Sequence, residues 1–129
     1  MKKELQEKLY SKYPSIFVQK DLPMDKTCMC WGISCGDGWI KLLDDLCAIL
    51  VKLDPKVQAV QVKEKFGTLR FYINGSNSDA HTVIDWAEHM SEHICEACGN
   101  YGKLRDDGWL NTLCDKCWKE HKKLRKGKC

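Results

Sequence analysis

Cys95 and Cys98, followed by Cys114 and Cys117, spell the pattern C-x2-C-x15-C-x2-C near the C-terminus. Two pairs at this spacing suit two tight turns that bring four thiolates onto one tetrahedral zinc ion. Gly99, Gly102 and Gly108 lie between the outer cysteines, and such small residues let backbone groups turn toward sulfur. The competing readings are two disulfides or four unrelated buried thiols. Zinc is favoured because Met1-Lys2-Lys3-Glu4 opens with no apolar leader, which predicts a cytoplasmic chain whose thiols stay reduced. Nine cysteines in 129 residues fit metal ligation better than a disulfide framework in that setting.

Three more cysteines, Cys28, Cys30 and Cys35, sit within eight residues and form a candidate second metal or thiol cluster. A second zinc there would need a fourth ligand such as Cys47, His89 or His93. The C-x-C start is not a usual knuckle, so reduced structural thiols are the default. Asp85, His89 and His93 share one helical face, which a solvated polar surface explains more simply than metal binding.

The chain has eighteen lysines but three arginines, and two of those, Arg70 and Arg105, occupy an aromatic-Gly-x-Leu-Arg slot that occurs twice. A guanidinium offers a planar fork for phosphate or carboxylate that lysine does not match. Lys63, Lys65, Arg70, Arg105 and Trp109 are therefore candidate ligand-binding residues for a small anionic molecule such as a nucleotide. The opposing reading pairs each arginine with a carboxylate, for example Arg105 with Asp106 or Asp107. Among the five tryptophans, Trp39 and Trp86 are expected to pack inside, and Trp109 is the candidate exposed stacking surface.

Catalytic patterns are missing: the sequence has no G-x4-G-K-[ST] loop, no G-x-G-x2-G and no H-E-x2-H. Cys35 in its glycine-flanked turn is a candidate nucleophile, but no base can be assigned to it. A non-catalytic protein is the expectation.

The formal charge is +3. A Zn²⁺ with four thiolates contributes 2 minus 4, which leaves about +1. Lys116, Lys119, Lys122, Lys123, Arg125, Lys126 and Lys128 concentrate basicity at the C-terminus, either as a solvated helix end or as a contact for DNA or RNA phosphates. No apolar run approaches the roughly 18 residues of a membrane helix, so no membrane partner is expected.

These residues must be positioned by a helix around Leu5, Leu9 and Tyr13 that Pro14 closes, and by a buried helix from Trp39 to Leu53 that Asp54-Pro55 ends. Alternation over Val57 to Ile73 predicts a hairpin turning near Lys65-Phe66-Gly67. A further helix follows, with Ser78 able to cap it and Val83, Ala87, Met90 and Ile94 on its apolar stripe. The predicted class is α+β: a small antiparallel hairpin or sheet packed with helices, plus a C-terminal zinc ribbon. The expected divisions are a core over 1–94, the ribbon over 95–118 and a basic tail over 119–129.

The stretch Cys28-Met29-Cys30-Trp31-Gly32-Ile33-Ser34-Cys35-Gly36-Asp37-Gly38-Trp39, the hairpin Gln61-Val62-Lys63-Glu64-Lys65-Phe66-Gly67-Thr68-Leu69-Arg70-Phe71-Tyr72, and the ribbon's Gly-x-Leu-Arg and Gly-Trp together resemble a family of small bacteriophage and prophage proteins. The resemblance spans roughly residues 24–117. It implies a phage protein expressed in the cytoplasm of a bacterial host. By analogy with small phage inhibitors of host defence, the expected function is sequestration of a nucleotide immune signal. The alternatives are a nucleic-acid-binding accessory protein and an inhibitor that docks directly on a host defence protein.

Overall fold

The computed structural model describes residues 1–75 and 77–126, the last two by their backbone alone. Helix α1 (Lys3–Lys12) buries Leu9 and ends at Tyr13, immediately before Pro14. Strand β1 (Ile33–Ser34) precedes the central helix α2 (Ile40–Leu53), which buries Leu42, Leu43, Leu46, Cys47 and Leu50. Strands β2 (Ala59–Lys65) and β3 (Thr68–Ile73) form the predicted hairpin, and helix α3 (Ser78–Met90) follows. The Asn77 side chain caps α3 by accepting from the Ala80 amide at 2.9 Å. The cap therefore falls one residue before the expected Ser78, because Asn77 has the extended backbone that a capping position requires.

β1 adds to β2 in parallel and β3 adds antiparallel, so the sheet is mixed, with order β1-β2-β3. Val62, Leu69 and Phe71 are buried, whereas Tyr72 on the opposite face is exposed. The alternation of these strands thus sends one row of side chains into the helix-covered core. β3 would be an open edge, but two of its outward amides are occupied. Leu69 N–H donates to Ser91 Oγ at 2.9 Å, and Phe71 N–H donates to Glu88 Oε2 at 3.0 Å. Side chains from α3 and the turn after it close the edge against further pairing.

The C-terminal unit is a second hairpin, β4 (Lys103–Asp106) and β5 (Leu110–Leu113), followed by helix α4 (Asp115–Lys126). α4 carries Cys117 and runs on through most of the expected basic tail, so ribbon and tail share one helix. Lys116, Lys119, Lys122 and Lys123 are exposed on it. Lys128 and the side chains of Arg125 and Lys126 lie outside the described residues.

The Gly36-Asp37-Gly38 segment, in sequence a flexible turn leading into Trp39, is the joint between the two units. Gly38 N–H donates to the Glu96 carbonyl at 2.7 Å, and Gly36 N–H donates to Glu96 Oε2 at 2.8 Å. A Cβ at Gly38 would lie 2.1 Å from the Cys95 carbonyl oxygen, and one at Gly36 would lie 2.3 Å from the Glu96 carbonyl oxygen. Only glycine permits this approach of backbone to backbone. The fully buried Trp39 completes the joint, with its indole N–H donating to the Ile94 carbonyl at 2.8 Å. Among the described residues, no helix is long and apolar enough to cross a membrane.

Candidate functional site

The joint holds the first cysteine pair in place, and the β4–β5 hairpin carries the chain round to the second. Cys95 N–H donates to the Asn100 carbonyl at 2.7 Å, and Gly99 N–H donates back to the Cys95 carbonyl at 2.9 Å, forming one knuckle. The second knuckle is the start of α4, where Cys117 N–H points at Cys114 Sγ at 3.4 Å. That amide holds the Cys114 thiol down to about 7, the direction expected when a backbone donor stabilises a thiolate.

All four sulfurs, of Cys95, Cys98, Cys114 and Cys117, lie within 4.8 Å of one another. Cys98 Sγ and Cys114 Sγ are 3.7 Å apart. A disulfide would place them about 2.05 Å apart. An ion bonded to four sulfurs at about 2.3 Å requires sulfur–sulfur edges of roughly 3.8 Å. The four cysteines therefore form a group that can hold one metal ion.

No family model, curated protein or solved structure matches the chain. The site must be read from its own geometry.

Among the described residues, the ribbon cysteines are the one group of three or more metal-ligand side chains. Cys28, Cys30 and Cys35 are not gathered into a second: Cys28 is exposed, Cys35 is buried, and Cys30 Sγ contacts the Thr27 carbonyl at 3.5 Å. Burial, and then the Glu96 carboxylate, push the Cys35 thiol up to about 12. It stays protonated at neutral pH and is a poor nucleophile.

The candidate ligand-binding residues are spread over separate surfaces. Arg105, whose side chain is 17% exposed, donates from Nε to the Leu113 carbonyl at 3.1 Å and from Nη2 to Asp115 Oδ1 at 2.7 Å. It also lies over the Trp118 ring, 5.8 Å from its centroid. This is the carboxylate pairing considered from sequence, with Asp115 in place of Asp106 or Asp107. Arg70 Nη1 lies 3.8 Å from Glu88 Oε1, in a cleft it shares with Asp85, His89 and Glu92. Lys63 lies opposite Arg70 on β2 but over the Tyr72 ring, in a different cleft near Lys26 and Cys28.

Lys65 and Trp109 do come together. They line a cleft of about 610 Å³ between the two hairpin tips, with Glu64 and Phe66 on one side and Asp106, Gly108 and Leu110 on the other. Trp109 is 67% exposed, as expected of a stacking surface, while Trp86, expected to pack, is 47% exposed on α3.

The residue missed in the sequence is Phe66. It is 65% exposed and has φ of 55°, with φ of 84° at Gly67 after it. Two positive φ angles in a two-residue loop between Lys65 and Thr68 make a type I′ turn. Asn-Gly is the usual pair there, and a bulky residue in the left-handed region is an outlier. The available signal was Phe-Gly at the centre of an alternating hairpin, where Asn-Gly belongs.

Proposed function

We propose that this is a non-catalytic docking protein in which a zinc ion stiffens the ribbon and the ribbon presents Phe66 and Trp109 to a partner protein. Zinc is the usual occupant of four converging cysteines in tetrahedral spacing, which supports this reading. A group with all sulfurs within 4.8 Å has room for one ion and not for an iron–sulfur cluster. The single observation that carries the docking reading is Phe66, exposed and left-handed at a hairpin tip beside Trp109. The fold retains a locally unfavourable aromatic where asparagine would cost less, and such strain points to function. Exposed aromatics ringed by polar groups are the usual anchors of protein interfaces.

Electrostatics favour a protein over a phosphate. The cleft is lined by Lys65 against Glu64 and Asp106, one positive charge and two negative. The two arginines that would have completed an anion clasp each face a carboxylate instead. In the phage setting implied by the resemblance, the partner is a host defence protein in the bacterial cytoplasm, inhibited by direct contact. A second reading, stacking of a nucleotide base on Trp109 with Lys65 at its phosphate, is favoured by their shared cleft.

Affinity capture from bacterial lysate, comparing the protein with its Phe66→Asn variant, tests the first reading. A partner retained by the protein and lost by the variant supports docking. Retention unchanged by Phe66→Asn and by Trp109→Ala contradicts it, and a nucleotide seen in native mass spectrometry moves the reading to the second.

A further inference from the structure

The tip cleft carries chemical information about what enters it, an inference that rests on the docking reading. Its two carboxylates are held in place by the turns they belong to. Glu64 Oε2 accepts from Gly67 N–H at 2.7 Å, and Asp106 Oδ1 accepts from Gly108 N–H at 3.1 Å. Each hairpin thus fixes one carboxylate by one oxygen beside the shared cleft. Between them the tips offer the exposed Trp109 ring and the apolar side chain of Leu110. Among the described residues the one lining cation, Lys65, lies over the Phe66 ring, 5.6 Å from its centroid. The cleft is therefore a flat aromatic wall with two oriented acceptors and a net negative lining.

We infer that this cleft takes an arginine side chain of the partner protein. A guanidinium is planar, so it stacks on an indole face while its in-plane N–H groups reach acceptors at the rim. It is also weakly hydrated and loses less on leaving water than an ammonium does. Lysine satisfies the charge but neither the plane nor the fork. A phosphate or an acidic peptide meets the wrong sign of charge. The cleft's volume of about 610 Å³ lies within the range of small-ligand sites, ample for one such side chain.

The test uses the zinc-loaded protein with three peptides of equal length, hexa-arginine, hexa-lysine and hexa-glutamate, and with inorganic phosphate. Binding is followed by the NMR shift of the Trp109 indole N–H, identified through a Trp109→Phe variant. Hexa-arginine is expected to move that resonance and to bind at least about tenfold tighter than hexa-lysine, with no response to hexa-glutamate or phosphate. The double variant Glu64→Gln, Asp106→Asn retains an oxygen for each turn amide, so its melting temperature reports that the fold is intact. It is expected to weaken hexa-arginine binding by about tenfold or more. Equal binding of arginine and lysine peptides, a preference for hexa-glutamate or phosphate, or no loss in the double variant overturns the inference. If Phe66→Asn abolishes partner capture while hexa-arginine fails to bind, docking stands and the arginine assignment falls. If hexa-arginine binds as described while capture ignores Phe66, the outcome is reversed.

Discussion

Thr112 Oγ1 donates a buried 2.7 Å hydrogen bond to the Gly67 carbonyl, joining the second strand of the ribbon to the turn of the core hairpin across 45 positions of sequence. Thr112 is fully buried, and its carbonyl in turn accepts from Glu96 N–H at 2.9 Å. Cys114 follows two residues later. The candidate metal ligand, the joint with Gly36 and Gly38, and the tip carrying Phe66 are thus linked through one threonine.

Replacing Thr112 with valine keeps the shape and removes the donor. The stranded Gly67 carbonyl is expected to cost about 1–3 kcal/mol, while Thr112→Ser, which keeps the hydroxyl, costs less. Urea denaturation at constant metal content checks the order of the two variants. Equal losses would mean that packing, not the hydrogen bond, holds the tip.

Phe66→Asn is expected to separate stability from function. Asparagine tolerates the left-handed conformation that phenylalanine resists, and Asn-Gly is the preferred type I′ pair. The variant should be as stable as the parent or better by up to about 1 kcal/mol, yet fail to retain a partner. Thermal melting read beside affinity capture decides this, and a large loss of stability would contradict the turn assignment.

Much of the architecture was legible in the chain. The cysteine spacing announced a four-sulfur group, the 3-4 periodicity marked α1, α2 and α3, and the alternation over Val57 to Ile73 marked the hairpin. These signals are local, and local pattern reports local structure. What the chain concealed depends on partners far along it. Gly36 and Gly38 read as flexible because the Cys95–Glu96 backbone that presses on them is about sixty residues away. For Arg105 the sequence offered Asp106 or Asp107 as the pairing carboxylate, or an open anion site, because Asp115 approaches only once β5 and α4 fold back on β4. Periodicity marks Trp86 as helical but does not decide how much of a large ring an interface covers, and it remains half-exposed.

Gly38→Ala tests the joint. The added carbon would sit 2.1 Å from the Cys95 carbonyl oxygen, a backbone atom that cannot swing aside, and the expected cost is about 2 kcal/mol or more. Gly75→Ala is the control, since nothing among the described residues lies within 4 Å of a Cβ there, and its effect should stay within about 0.5 kcal/mol. Chemical denaturation of both variants is sufficient. Similar behaviour of the two would remove the close approach from the account.

Burial pushes the Glu88 carboxyl above its ordinary value of 4.5, outweighing the Phe71 amide and the Arg70 charge that act in the other direction. The folded state then holds this proton more tightly than the unfolded chain does. The stability linked to it is full below pH 4.5 and is lost as pH rises through the raised folded value. Glu88→Gln retains an oxygen for the Phe71 amide and does not titrate. The stability of the variant relative to the parent should therefore rise from about pH 4 to about pH 7. A difference that falls would show that the Phe71 amide and Arg70 outweigh burial, and a flat one that they cancel it; either contradicts the prediction.

The central claim is that one zinc ion, bound by Cys95, Cys98, Cys114 and Cys117, pins the ribbon and through it the tip. X-ray absorption at the zinc edge, on freshly purified protein of known metal content, tests it most directly. The account requires one zinc per chain with four sulfur neighbours at about 2.3 Å and no nitrogen or oxygen in the shell. Metal-free protein that melts at the same temperature as the loaded form, or a shell mixing sulfur with nitrogen, would contradict it.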